Sequence, residues 1–351
     1  MTEAGKVETT EVREAHRLDE KALATYLGDT VDGFSGAMEV RQFPSGQSNP
    51  TFQIISGNKK YVLRKKPPGK LLPSAHAIDR EYKIISALQA SDVPVPRAQH
   101  YCEDASVIGT EFYLMEMIEG RVFHDPTLPG VTPEERREFY DDFIRVLASL
   151  HAINAEAVRL GDFGRANGYM ERQVSRWSKQ YEASKTEEIP AMDEVIAWLP
   201  ANMPDDPSVS VVHGDYRPGN TVVFPDKAKV AAVLDWELAT LGHPLADLGY
   251  CCTGYHGDPT LPGSLSGLDC KAMGIPTEEE FVERYCHYSG RGNIDNFHYY
   301  VIFSIFRSAA IVQGVYKRGL DGNASSEKAL TYGEIAKERA QTAWALVEKH
   351  F

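Results

Sequence analysis

Cysteine is scarce in this chain. There are five, Cys102, Cys251, Cys252, Cys270 and Cys286, and none belongs to a C-x-x-C pair. The odd count and the adjacent pair argue against a disulfide framework or a zinc site, and a reducing cytoplasm is expected. Basic residues are also short: 37 Lys and Arg stand against 50 Asp and Glu, a formal net charge of −13. Such a chain repels nucleic acid and anionic membrane, so neither is expected as a partner. An anionic substrate would need a local basic pocket. The N-terminal "MTEAGKVETTEVREAH" has no apolar segment, so no signal peptide is expected. The longest apolar run, "YYVIFSIFRSAAIVQGVY", is interrupted by Arg307 and Gln313, which predicts a buried core helix rather than a membrane span. No internal repeat is visible.

What is present is ordinary globular composition, 42% hydrophobic and 25% charged, over 351 residues. That length suits two lobes. Residues 1–20, rich in Glu and Thr, read as a flexible lead. "MEVRQF", "TFQII" and "YVLRK" read as strands, the last two joined by an "SGNKK" turn. "SAHAIDREYKIISALQA" reads as a helix with Ser74 as a candidate N-cap. "VPVPRAQHYCED" and "EFYLMEMI" read as extended. Beyond them the pattern turns helical. "VTPEERREFYDDFIRVLASLHAI" carries a capping box, Thr132 with Glu135, and Pro133 at the first helical position. "PTEEEFVERYCHY" repeats the box with Thr277 and Glu280, and residues 328–351 read as a tail helix. The expected organisation is α+β: the lead, a small antiparallel-sheet lobe over 21–117 with one main helix, and a larger mostly helical lobe over 118–351.

The stretch "VVHGDYRPGN" lies between two β-branched runs, and "VAAVLDWE" follows as a further strand. Asp215 and Asn220 sit on the loop and Asp235 at a strand end. Three oxygen ligands of this kind suit Mg²⁺, which takes few protein ligands and leaves the rest of its shell to water and phosphate. The spacing fits phosphoryl transfer. Asp215 would orient the acceptor hydroxyl and take its proton, while Asn220 and Asp235 would hold the metal. The bland reading is a loop with two capping side chains, and the added strand-end Asp235 weighs against it.

"HGDYRPGN" followed by "VLDWE" resembles the aminoglycoside phosphotransferase superfamily, over about residues 36–320. The resemblance implies a protein-kinase-like two-lobe fold, ATP as phosphoryl donor, Mg²⁺, and a small-molecule hydroxyl acceptor. "VLRKKPPGKLLPSAHAIDREY" and "LGDFGRANGYMERQVSRW" look closer still to the kinase-like domains fused to acyl-CoA dehydrogenases, for which a hydroxyacyl-CoA acceptor is implied. No dehydrogenase domain fits in this chain, so a free-standing unit is expected. A nucleotide-binding pseudokinase without turnover is the alternative. A protein kinase fits less well, because G-x-G-x-x-G and a later A-P-E segment are missing.

The same resemblance puts Arg64 of "YVLR" where the family usually has a lysine that holds the nucleotide's phosphates. Lys65 faces the other side of the strand. Glu81 shares a helical stripe with Ile85 and Leu88, and a carboxylate on an apolar stripe needs a cation, so Arg64 is its expected partner. "PSGQSNPT" at 44–51 stands where a phosphate-covering loop belongs, with Ser48 and Asn49 as candidate donors, though a hairpin turn explains it as well. Glu116 and Met117 of "YLMEMIEG" would offer backbone groups to a nucleotide base. His213 reads as a structural brace of the loop. Glu237 reads equally as a metal group or a turn residue, and Asp247 as a helix cap or a brace. Arg172, Arg176 and Lys179 form a basic helix face, most simply a solvated one.

Overall fold

The computed structural model describes residues 8–44, 49–67, 77–323 and 327–351. In chain order the elements are α1 (Glu20–Thr30), β1 (Met38–Gln42), β2 (Thr51–Ser56), β3 (Lys59–Lys65), α2 (Ile78–Leu88), β4 (Ala98–Cys102) and β5 (Phe112–Glu116). There follow α3 (Pro133–His151), α4 (Tyr169–Ser184), α5 (Pro190–Ala201), β6 (Ser210–Val212), β7 (Thr221–Val223), β8 (Val230–Val233) and β9 (Thr240–Gly242). The remainder is helical: α6 (Pro244–Cys252), α7 (Cys270–Met273), α8 (Glu278–Ser289), α9 (Phe297–Leu320) and α10 (Tyr332–His350). The chain divides into two compact units. One takes Met1–Phe123, Val158–Leu160 and Gly219–Ala239; the other takes His124–Ala157, Gly161–Pro218 and Thr240–Phe351.

The first unit is built on a five-stranded sheet in the order β1-β2-β3-β5-β4 with antiparallel neighbours. Its register sets Arg64 opposite Thr51 on one side and Tyr113 on the other. One face packs on α1: Leu23 and Leu27 are buried with Phe52, Ile54, Leu63, Phe112 and Leu114. Asp19 starts α1 by accepting from Ala22 N at 2.9 Å. The sequence reading did not contain this helix. Within the expected flexible lead, Thr10 pairs with Gln42 in an isolated bridge that extends β1. Helix α2 begins at Ile78 with Ala77 at the cap position and no side-chain cap bond. Its first turn carries Asp79 and Glu81, which complement the positive end of the helix instead. The candidate cap Ser74 lies outside the described residues. Strands β7 and β8 form a hairpin of their own, Thr221 opposite Val233.

The second unit is helical apart from the β6–β9 pair, Ser210 opposite Gly242. Both expected capping boxes form, Thr132 with Glu135 on α3 and Thr277 with Glu280 on α8. Helix α9 is the apolar run; Tyr299, Val301, Ile302 and Phe306 are essentially fully buried, and α4, α6 and α10 pack along it. Among the described residues no helix is long and apolar enough to cross a membrane.

Candidate active site

In the first unit, β3, α2, β5 and the turn after β8 deliver one charged cluster. Burial of Glu81 is complete. Its carboxylate lies 3.3 Å from Arg64 Nη1 and accepts from Tyr113 Oη at 2.8 Å and from Asn49 Nδ2 at 3.1 Å. Arg64 also donates from both Nη atoms to Asp235 Oδ1 at 3.2 Å. Burial opposes the guanidinium charge, but Glu81, Tyr113, Asp235 and Glu237 outweigh it and hold Arg64 above its ordinary range. Burial pushes the Glu81 carboxyl up, against the pull of Arg64 and Tyr113. The expected Arg64–Glu81 pair therefore forms, on the strand face the alternation indicated. Lys65 sits apart from it, its Nζ 5.8 Å from the centre of the Phe52 ring.

Carboxylate oxygens of Glu81, Asp235 and Glu237 lie within 4.8 Å of one another. Asp235 reaches this position through a left-handed backbone, φ 64°, at the start of the 3-10 turn Trp236–Leu238. A non-glycine residue rarely adopts that conformation, and it aims the side chain away from the strand direction. Asn220 is held at the same end of the hairpin: Leu234 N donates to Asn220 O at 2.8 Å. The structure thus brings together Arg64, Glu81 and Asp235, and ties Asn220 to the residue before Asp235.

In the second unit, Asp215 follows β6 on a loop braced from several sides. Tyr250 Oη donates to Asp215 Oδ1 at 2.5 Å, and Arg217 Nε lies 3.3 Å from Oδ2. Buried Asp247 accepts from His213 N at 2.6 Å and from Gly214 N at 2.9 Å. Arg307 donates to Gly214 O at 2.7 Å, and Asp215 N donates to His213 Nδ1 at 3.2 Å. Gly214 has φ 83°, which turns the loop where a side chain would be strained. Burial raises the Asp247 carboxyl, but the His151 imidazole, 3.4 Å away, and the His213 groups carry it below the ordinary carboxylate range. His151 is fixed in turn by Tyr285 at 2.7 Å. His213 is the brace the sequence suggested. Asp247 braces the same loop from within α6, while His243 caps that helix.

The other candidates fall differently. Asn49 is fully buried and serves Glu81; Ser48 lies outside the described residues. Glu116 N donates to Arg97 O and Met117 N to Lys60 O, so both backbone donors are engaged in the sheet. On α4, Arg172 bonds the carbonyls of Arg165 and Asn167, while Arg176 and Lys179 are exposed. Sequence reasoning missed Tyr113, Tyr250 and Arg307 as site residues. Tyr113 was discoverable as the cross-strand neighbour of Arg64, and Tyr250 as the residue one helical turn from Asp247. Arg307, a cation inside an apolar helix, announced a buried acceptor.

The model of the phosphotransferase enzyme family APH matches residues 39–295. Acyl-CoA dehydrogenase family member 10 of Mus musculus is 46% identical over 349 residues, 98% of this chain and 33% of that protein. The chain spans 33–45% of the length of the acyl-CoA dehydrogenase family relatives named 10 and 11. A crystal structure from Ralstonia eutropha, provisionally assigned as an aminoglycoside phosphotransferase, is 44% identical with a TM-score of 0.88, covering 95% of this chain and 99% of its own. Spectinomycin phosphotransferase in complex with ADP and spectinomycin shares the fold at 13% identity, with a TM-score of 0.63 over 95% of this chain and 99% of its own. The expected kinase-like α+β fold is therefore observed, and so is the likeness to the acyl-CoA dehydrogenase family proteins. With the family model covering most of its length, the chain belongs to the phosphotransferase enzyme family.

Proposed function

We propose that the protein transfers the γ-phosphoryl group of ATP, with Mg²⁺, to the hydroxyl of a small molecule. The observation that carries this reading is the Arg64 cluster: a buried cation tied to Glu81 beside the carboxylates of Asp235 and Glu237. An oxygen-only donor set suits a hard cation. Asn220 and Asp235 would hold Mg²⁺, which when bound supplies neutralisation of the phosphate charge. Arg64 is positioned by Glu81, and its Nε is buried without a hydrogen-bond partner among the described residues, a donor that a phosphate oxygen can satisfy. Asp215, oriented by Tyr250 and Arg217, takes the acceptor's proton as the hydroxyl attacks. The carbonyls rather than the engaged N–H groups of Glu116 and Met117 are the groups offered to the base.

A hydroxylated acyl-CoA is the acceptor class to try first, because the relatives carry an acyl-CoA dehydrogenase name. Fold alone does not select the acceptor. The test is an ATP-consumption screen over hydroxyacyl-CoAs, aminoglycosides, amino alcohols and sugars, followed by single-turnover transfer with Asp215→Asn. A loss of about 10²–10⁴-fold is expected; unchanged transfer removes Asp215 from the mechanism. A second reading, nucleotide binding without turnover, draws on the double hydrogen bond from Arg64 to Asp235, which engages a metal-ligand oxygen. Stabilisation by Mg·ATP with no turnover on any acceptor would favour it.

A further inference from the structure

A second polar cluster lies within the helical unit and has no part in the chemistry above. His256 follows the 3-10 turn Thr253–Tyr255, Glu278 opens α8, and His298 is the second residue of α9. His256 Nε2 lies 2.8 Å from Glu278 Oε1, and His298 Nε2 lies 3.3 Å from Glu278 Oε2. One ligand atom from each of the three residues falls within 4.8 Å of the others. An ion about 2.0–2.1 Å from nitrogen and oxygen ligands sets those ligands roughly 3.3 Å apart in tetrahedral geometry. The spacings of 2.8 and 3.3 Å run to different oxygens of Glu278, so its carboxylate faces both imidazoles, and one ligand atom from each residue lies close enough for a modest contraction to gather all three on one ion.

The surroundings orient these ligands. His350, at the end of α10, stacks on the His298 ring at 3.6 Å and 9°, which fixes the plane of that imidazole. Gly257, φ 92°, makes the turn that presents His256; a Cβ there would meet Glu338 Oε1 at 2.7 Å. Imidazole nitrogen with one carboxylate is the donor set of zinc, whereas magnesium prefers oxygen alone.

We infer that His256, Glu278 and His298 form a binding site for a divalent transition-metal ion of the Zn²⁺ class, with Nε2 of each histidine and a Glu278 oxygen as ligands and water completing the shell. Each imidazole then carries its proton on Nδ1. The ion fastens the 253–257 loop to the starts of α8 and α9. His256 also borders a cavity of about 140 Å³ lined by Ser308, Glu338, Arg339 and Thr342. The metal therefore stiffens one wall of that cavity, a structural role distinct from the proposed phosphoryl transfer.

The experiment uses the full, tag-free chain stripped with a chelator and titrated with ZnCl₂ by calorimetry, with thermal melting in parallel. One Zn²⁺ per chain should bind to this triad and raise the Tm. His256→Ala with His298→Ala should lose that equivalent, while Asp235→Asn keeps it, which separates this site from the carboxylates of the other unit. If the double variant does not fold, Co²⁺ added to the stripped wild type reads the site directly, through the visible absorption of a low-symmetry nitrogen and oxygen shell. No zinc uptake by the wild type would overturn the assignment. So would a double variant that melts lower yet binds as many ions, for the triad would then be held by hydrogen bonds alone.

Discussion

Removing the Asp247 carboxylate should unlock the loop that carries Asp215. Asp247 is fully buried and receives two backbone donors, His213 N at 2.6 Å and Gly214 N at 2.9 Å. Asp247→Ala strands both. A buried donor left without an acceptor costs about 1–3 kcal/mol, so the pair should cost about 2–6 kcal/mol. Asp247→Asn keeps one acceptor oxygen and should cost about 1–3 kcal/mol. Urea denaturation at pH 7 reads both values by linear extrapolation. A pH series adds an independent check. Because the folded-state pKa of Asp247 is depressed, the unfolded chain binds the extra proton. This contribution is complete above the ordinary value of about 3.9 and is lost as pH falls below it. Stability of Asp247→Ala should therefore depend less on acidification than that of the wild type. A cost for Asp247→Ala below about 0.5 kcal/mol, less than one lost hydrogen bond, would refute the brace. So would an Asp247→Asn variant less stable than Asp247→Ala.

Further outcomes follow from the same geometry. Glu81→Ala leaves Arg64 buried with one fewer anion and should cost about 3–5 kcal/mol in a urea melt, against somewhat less for Glu81→Gln, which also removes the charge but retains one acceptor oxygen for either Tyr113 or Asn49; a cost below about 1 kcal/mol for both variants would deny the ion pair its part. Tyr250→Phe removes a donor to the Asp215 carboxylate and should lower kcat/KM by about ten- to a hundredfold, with the fold unchanged by circular dichroism. Burial lowers the pKa of His243, against the pull of Asp206, so the unfolded state gains the proton first. Stability should be complete above pH 6.5 and fall as acid titrates through that value, because protonated Nδ1 can no longer accept from Leu245 N. In thermal melts between about pH 7.5 and about pH 5.5, each about one unit from the ordinary histidine value, His243→Asn should show a smaller fall than the wild type.

Local rules were readable where chemistry repeats over a few residues. The capping boxes at Thr132 and Thr277 depend on neighbours three positions apart, so they could be read before any fold was known. The apolar run of α9 was readable by composition, and Glu81 by its place on an apolar stripe. Helix α1 was not, because its apolar stripe is short, Leu23 and Leu27, and needs the sheet face to bury it. The β6–β9 pair joins three-residue strands whose partners lie 28–32 positions apart, too short for a periodic signal and too distant for a turn signal.

The amino-acid order alone determined the reaction class the chain resembles, through Asp215, Asn220 and Asp235 at their spacing, and the need of Glu81 for a cation. It could not determine which groups serve them. Tertiary structure decided that Asn49 answers Glu81 and that Arg64 bridges Glu81 to Asp235. It also decided that Arg307 and Asp247 grip the Asp215 loop through its backbone. The reason is physical: a side chain's own chemistry states what it requires, but the partner that meets the requirement arrives from a remote element, and only the packing of those elements selects it.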